Sequence, residues 1–297
     1  MSESPLIFDR RLLRVRRARA EKLGLSTFLV ERVAEDIADR LSTVLRRFEL
    51  AVDLGTPGEA VRRTLAASGK VGVVVTADAF TANGGSFAVA ADEEALPFRA
   101  GAIDLVVSAL ALHAVNDLPG TLVQIRRALR PAGLFLAALF GGATLTELRQ
   151  SFAEAEAEVE GGASPRVAPF ADLRDLGALL QRAEFALPVA DVERLTVRYA
   201  SPFALMHELR SMGATNVLVE RRRKPLRRAT LVRMMEIYGE RFSDPDGRIR
   251  ATFEIVWLSG WAPHESQQQP LQPGSARQRL ADVLGTTEQS TGEKAGR

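Results

Sequence analysis

Ser86 to Asp117, SFAVAADEEALPFRAGAIDLVVSALALHAVND, is the stretch whose reading decides the fold. Phe87 to Ala90 is a short apolar run closed by Asp92, Glu93 and Glu94, and a loop containing Pro97 and Gly101 follows. Ile103 to Leu112 is then almost continuously apolar, broken only by Asp104 and Ser108. That is the pattern of a strand buried on both faces of a parallel sheet. Such a sheet carries its working surface at the carboxyl ends of its strands, so Asp92 and the segment Ser108 to His113 are expected to face one crevice.

Upstream, Leu50 to Leu54 reads as a strand interrupted by Asp53, followed by Gly55-Thr56-Pro57-Gly58 and a helix over Ala60 to Ala67. Strand, glycine turn and helix bring backbone N–H groups towards a nucleotide-like ligand, although an ordinary tight turn has the same spelling and Pro57 removes one donor. Val71 to Val75 is the next strand. Asp78 lies 23 residues after Gly55, near the spacing at which an acid ending the second strand accepts from ribose hydroxyls; a plain turn-forming Asp is the alternative.

Downstream, a helix over Leu118 to Leu129 is stopped by Pro131 and Gly133, and Leu134 to Phe140 is another buried strand closed by Gly141-Gly142. Thr144 and Glu147 stand at capping-box spacing at the head of a helix. Glu154, Glu156, Glu158 and Glu160 alternate along it, which predicts a solvated face, since i and i+2 point apart and only pairs such as Glu154 with Glu158 can cooperate. A helix over Asp172 to Ala183 and strands over Val189 to Tyr199 and Ile249 to Ser259 complete the alternation. Between those strands, residues 201–242 turn helical and polar, an inserted lid with the basic cluster Arg221, Arg222, Arg223, Lys224, Arg227 and Arg228, either solvated or docked on an acidic partner.

The N-terminal segment carries Arg10, Arg11, Arg14, Arg16, Arg17 and Arg19. A solvated helix face is the plain expectation, and contact with an acidic partner or a membrane surface is the other. Leu29, Val33, Ile37, Leu41, Leu45 and Phe48 follow at helical spacing as one core-facing stripe. The expected organisation is an N-terminal helical segment (1–47), a main domain (48–266) with its insertion at about 201–242, and a mobile tail (267–297) in which Ala276 to Leu284 makes one short helix.

With 297 residues and 46% hydrophobic content the chain can bury a large core. It has no cysteine and three histidines, which leaves out disulfides, thiol catalysis and a cysteine- or histidine-rich metal site. The formal charge of +2 with a pI near 9.3 does not call for nucleic acid without a patch. No apolar run is long enough for a transmembrane helix, so peripheral contact is the only membrane role expected.

The order AVDLG, VVVTAD, ADEEALPF, AIDLVVSALALHAVND, LRPAGLFLAALFGG and FEIVWLSGWAP resembles the class I S-adenosylmethionine-dependent methyltransferase superfamily. Ile7 to Arg10, Gly141 to Glu156, Glu160 to Phe185 and Ser201 to Asn216 are most similar to the group of respiratory complex I assembly factors with arginine-hydroxylase activity. They resemble the biotin-pathway malonyl-carrier methyltransferases more distantly. The resemblance spans about residues 6 to 285 and implies an α/β, Rossmann-like, seven-stranded, mostly parallel sheet with helices on both faces, N-terminal helices and a helical lid. S-adenosylmethionine is the cofactor implied. Asp53 and Gly55 match the first cofactor motif, whose later glycines are replaced by Pro57 and, depending on a one-residue gap, Gly58 or Glu59, with Gly58 kept in the cofactor-binding set. Asp78 matches the ribose-binding acid, and Asp92, with Glu93 beside it, the acid that reads the adenine amino group; Ser108 joins this set. Ala114 stands where relatives usually carry an aromatic residue. His113, Tyr199 and His207 are the candidate polar groups near the chemistry, although a residue of each kind in such a place is more often structural.

Three functions follow from the resemblance: an enzyme modifying a protein arginine on a complex I subunit, a carboxyl O-methyltransferase on a small acid or acyl carrier, and a non-catalytic scaffold. Because the resemblance begins at Ile7, little room is expected for a cleaved targeting peptide. A bacterial or already mature protein is expected on that ground, with the bacterial cytoplasm, in reach of the inner face of the membrane, as the expected location.

Overall fold

The structure, a computed structural model, describes residues 6–79, 87–267 and 280–287. The chain divides into two compact units, Met1–Pro263 and His264–Arg297. In the second, the described residues form one short helix, Leu280–Leu284; the first half of the tail helix expected from Ala276 lies outside the described residues.

The first unit holds one seven-stranded sheet. Its strands are β1 (Phe48–Leu54), β2 (Val71–Asp78), β3 (Ala88–Ala90), β4 (Ile103–Ala109), β5 (Leu129–Phe140), β6 (Ala186–Tyr199) and β7 (Ile249–Trp261). Their spatial order is β3-β2-β1-β4-β5-β7-β6, parallel from β3 to β5, with β7 antiparallel to both β5 and β6. The order reverses direction between β1 and β4, the point where a doubly wound sheet opens its ligand crevice.

Strand β4 is buried from end to end, and its two polar residues are both satisfied. Asp104 accepts from Leu50 N at 2.9 Å and from Arg130, while Ser108 Oγ donates to Leu54 O at 2.8 Å. Both bonds stitch β4 to its neighbours, which is how a buried strand carries polar groups without an unsatisfied-donor cost. Alternation along the strands divides the core into two faces. Leu105, Val107, Leu134 and Leu136 face one layer with α2 (Phe28–Ser42), α5 (Thr146–Glu160) and α8 (Arg228–Phe242). Val106, Phe135, Ala137 and Leu139 face the other with α4 (Leu118–Ala128) and α6 (Leu173–Arg182). The remaining helices are α1 (Arg10–Leu23), α3 (Ala60–Ala67) and α7 (Pro202–Ser211).

Several local expectations need correction. β5 starts at Leu129 rather than Leu134, because Pro131 and Ala132 sit in a register irregularity of the strand and do not precede it. Leu45 is fully exposed and Phe48 belongs to β1, so the stripe of α2 ends at Leu41. Glu147 makes no capping box with Thr144: α5 begins at Thr146 after a left-handed Leu145, and Glu147 accepts from Thr252 N and Oγ1 on β7.

The solvated face expected on α5 holds for Glu158, which is exposed, and fails for Glu156 and Glu160, whose side chains are withdrawn from solvent. Glu156 is 0% exposed and binds Arg166 and Ser164. Glu160 binds Arg222 and Thr230, Glu158 binds Arg233, and Glu154 binds Arg241. Half of the basic cluster is engaged inside the chain, Arg221 with Asp9 and both Arg222 and Arg227 with Glu160, while Arg223, Lys224 and Arg228 are exposed.

Candidate cofactor and substrate site

At the carboxyl end of β1, Asp53 is 1% exposed and neither carboxylate oxygen finds a hydrogen-bond partner. Burial pushes its carboxyl up to about 7. Gly55 follows with φ +67, and a Cβ built there would stand 2.5 Å from Glu93 Oε1, so this turn needs glycine for both backbone and space. Gly58 also has positive φ, at +75, and packs under Leu25 and Thr27. Asp78 closes β2, and Asp92 and Glu93 follow β3 directly. Asp53, Gly55, Asp78, Asp92 and Glu93 thus gather at the carboxyl ends of the first three strands. Ser108 sits below them in β4, its hydroxyl already committed to Leu54.

The acids after β3 are occupied. Arg10 donates to Asp92 Oδ1 at 3.0 Å and pairs with Glu93, Arg14 pairs with Asp92 Oδ2, and Arg17 stands 3.7 Å from Glu93 Oε1 while donating to Gly55 O at 3.1 Å. Glu93 and Arg17 are both buried. Burial works to raise the Asp92 carboxyl, but the Glu94 N–H and the guanidiniums of Arg10 and Arg14 outweigh it and hold the group below its usual range. For Arg10, burial is outweighed by Glu93 and Asp92, which raise its guanidinium. The expectation of a solvated arginine face on α1 is therefore corrected for Arg10, Arg14 and Arg17. Their spacing of i, i+4 and i+7 puts them on one side of a helix, a signal present in the sequence that composition alone hides.

Beside this floor lies a cavity of about 260 Å³, walled by residues of α1, β5, α5 and α7 together with His113 and residues 213–217. A smaller one of about 50 Å³ shares Leu13, His113 and Phe140 and reaches Pro57 and Arg17, joining the glycine turn to the larger cavity. His113 stands in both, within a 3-10 turn (Leu112–Ala114) at the exit of β4, its ring 4.7 Å from that of Phe140. Its Nδ1 is buried without a partner, as is Thr215 Oγ1. Burial, aided by Arg17, pulls the imidazole down to about 3, so His113 is neutral at physiological pH. Ala114 is buried in the cavity wall and leaves room where an aromatic side chain would fill it.

The other two polar candidates stand elsewhere. Tyr199 ends β6 in the hydrophobic core, where burial and the nearby Glu208 carboxylate push its phenol well above the usual range. His207 is exposed on α7, while Met206, Leu209 and Arg210 of the same helix line the cavity. Sequence reasoning did not find Arg166, which lines the cavity and is fixed by buried Glu156, nor Asn116, whose Oδ1 accepts from Ile7 N and Phe8 N at 2.8 Å and pins the start of α1.

A family described as "Methyltransferase domain" matches residues 52–137, from β1 into β5. The arginine-hydroxylase NDUFAF5 of Danio rerio is 37% identical over 93% of this chain and 89% of its own length. The human protein of that name is 41% identical over 91% and 81%. The chain belongs to the NDUFAF5 family. The family is a branch of the class I S-adenosylmethionine-dependent methyltransferase superfamily, and the malonyl-[acyl-carrier protein] O-methyltransferase of Xylella fastidiosa is a more distant relative, 37% identical over 58% of this chain and 56% of its own. The solved YcgJ protein of Bacillus subtilis overlays with a TM-score of 0.50 at 15% identity, covering 76% of this chain and 97% of that one, a likeness of fold alone. In this NDUFAF5-family chain the donor set suits an adenosine: glycine at the turn, an orphaned buried carboxylate beneath it, and acids ending β2 and following β3.

Proposed function

We propose that the protein is an S-adenosylmethionine-binding enzyme that modifies an arginine of a protein substrate in the assembly of respiratory complex I. The observation that supports this most is the reach of the likeness: it runs over 93% of the chain, and therefore includes walls of the cavity on α1, α5 and α7 as well as the cofactor half. Substrate choice is expected to reside in those walls.

Asp78 is the acceptor for the ribose hydroxyls and Asp92 for the adenine amino group, with Gly55 and Gly58 allowing close approach of the backbone. When bound, the cofactor supplies a methyl group already activated on a sulfonium. The chain's own part is then to align a substrate atom and keep water out, which the apolar walls around Phe8, Phe140 and Leu148 favour. Neutral His113, with Nδ1 unpartnered, is the group available to accept or donate one hydrogen bond to the substrate. The bacterial cytoplasm, near the inner face of the membrane, is the location proposed with this role. Among the described residues no helix is long and apolar enough to cross a membrane.

Deletion of the gene in its host tests the reading: complex I activity should fall, and mass spectrometry of its subunits should find an arginine that has lost a modification. One observation favours a second reading. The cavity lining contains Arg166, Arg210 and His113 and, among the described residues, no carboxylate, which suits a substrate carrying a carboxylate, as in methylation of an acyl-carrier-bound acid. Biotin auxotrophy with intact complex I in the deletion strain would decide for that alternative.

A further inference from the structure

We propose that α1 is a resident plug of the cofactor crevice, its arginines holding the acids that adenosine must reach, so that cofactor binding and the docking of α1 oppose each other. The inference rests on the proposed cofactor reading and concerns the regulation of that site. Three observations on separate residues carry it. The carboxylate placed to read the adenine amino group has Oδ1 engaged by Arg10 and Glu94 N, and Oδ2 by Arg14. With about four acceptor directions on a carboxylate, one remains. Against the glycine turn stand Glu93 and Arg17: Glu93 Oε1 lies 2.5 Å from where a Gly55 Cβ would be, and Arg17 donates to Gly55 O. The plug is also graded in exposure. Arg14 and Asp92 side chains are 45% and 28% exposed, whereas Arg17 and Glu93 are 10% and 2% exposed, so the outer pair can yield first.

The energetics allow the exchange. A cofactor that binds only the open arrangement has its apparent affinity lowered by the open fraction, and whatever weakens the closed arrangement raises that affinity. The coupling is reciprocal, so bound cofactor must loosen α1 to the same extent. The N-terminal end stays tethered meanwhile by Asn116 and by the bridge of Phe8 to Leu218, which makes release local, a swing of side chains and the first turns rather than loss of the helix.

The test uses the full chain, with S-adenosylmethionine and its uncharged-sulfur product S-adenosylhomocysteine as probes in titration calorimetry, and hydrogen exchange read over Arg10–Leu23. Arg14→Ala should tighten both ligands about two- to fivefold and Arg10→Ala about tenfold, as expected from removing an exposed and a half-buried charged contact. Arg11→Ala, an equal charge change at an exposed position of α1, should leave affinity unchanged, which separates plug release from a general charge effect. Bound cofactor should speed exchange in α1 of the wild type. Binding by the variants with none by wild type is the strongest form of the same result. Weaker binding by Arg10→Ala together with slower exchange in α1 would overturn the proposal and make the arginines part of the cofactor's own site. Equal binding by all four proteins overturns it as well. Absence of binding in every protein removes the cofactor reading itself, and the plug with it.

Discussion

Two places in this molecule use the same chemistry, arginines set against clustered acids, with different outcomes. On α5, Glu156 is completely buried, accepts from Ser164 N, Ser164 Oγ and Arg166, and joins the helix to the loop that carries residues 164–168. On the cofactor side, Asp92 keeps part of its surface in water and shares Arg10 with Glu93. A fully desolvated pair cannot be opened without stranding a charge, whereas a half-exposed one can exchange its guanidinium for water or for a ligand. The first cluster is therefore a clamp on the cavity wall, and in the second the outer pair, Arg14 with Asp92, is a latch over the buried Arg17 and Glu93.

The largest effect that could break this distinction is at the clamp. Glu156→Ala leaves Arg166 without its carboxylate beside the aromatic ring of Phe152, and should cost about 3–5 kcal/mol of folding stability in urea denaturation, the usual penalty for stranding a buried charge. A loss no larger than that of a surface pair would show that the Glu156 cluster is as exchangeable as the latch. The pair also carries a pH signature. Burial tends to raise the Glu156 carboxyl, but the Ser164 N–H and Arg166 overcome it and hold it below its usual value. Its contribution is complete above the unfolded carboxylate range and is lost as pH falls through the lowered folded value.

Asp53 sharpens the comparison from the other side, since neither of its oxygens has a hydrogen-bond partner and burial carries its carboxyl up to about 7. A raised carboxylate stabilises the unfolded chain once that chain ionises. Stability is complete below about pH 4 and declines as pH rises towards 7. Asp53→Asn should therefore gain on the wild type across that window, by about 1.4 kcal/mol for every step of one in pH, and run parallel to it above pH 7. Denaturation midpoints of the two proteins from pH 4 to 8 measure the difference. Parallel curves throughout would mean that Asp53 has a charged partner in solution.

The smallest effect is expected on the outer face of α5. Arg233 pairs with Glu158 and Glu236 in water, and Arg233→Ala should leave the unfolding midpoint where it is, because solvent screens such pairs almost completely. A loss comparable to that of Glu156→Ala would mean the whole ladder between α5 and α8 acts as one buried unit.

The seven-stranded sheet was legible because its cause is local. An apolar run such as Ile103 to Ala109 is the pattern of a strand covered on both faces, as the strands of a mostly parallel sheet are, and strict alternation in β4 and β5 assigns each residue to a layer before any partner is known. Asp53, Gly55, Asp78 and Asp92 were legible for a related reason, since each stands at or just past a strand end, and strand ends define the crevice. What the sequence could not decide is who meets whom across distance. Arg10 reaches residues 82 and 83 positions away, and Glu156 reaches Arg222 between α7 and α8, so that charges spelled like solvated faces become a latch and a clamp. Periodicity records which face of a helix is polar, but the Coulomb partner of that face depends on where the tertiary packing sets it down, and so does the water left around the pair.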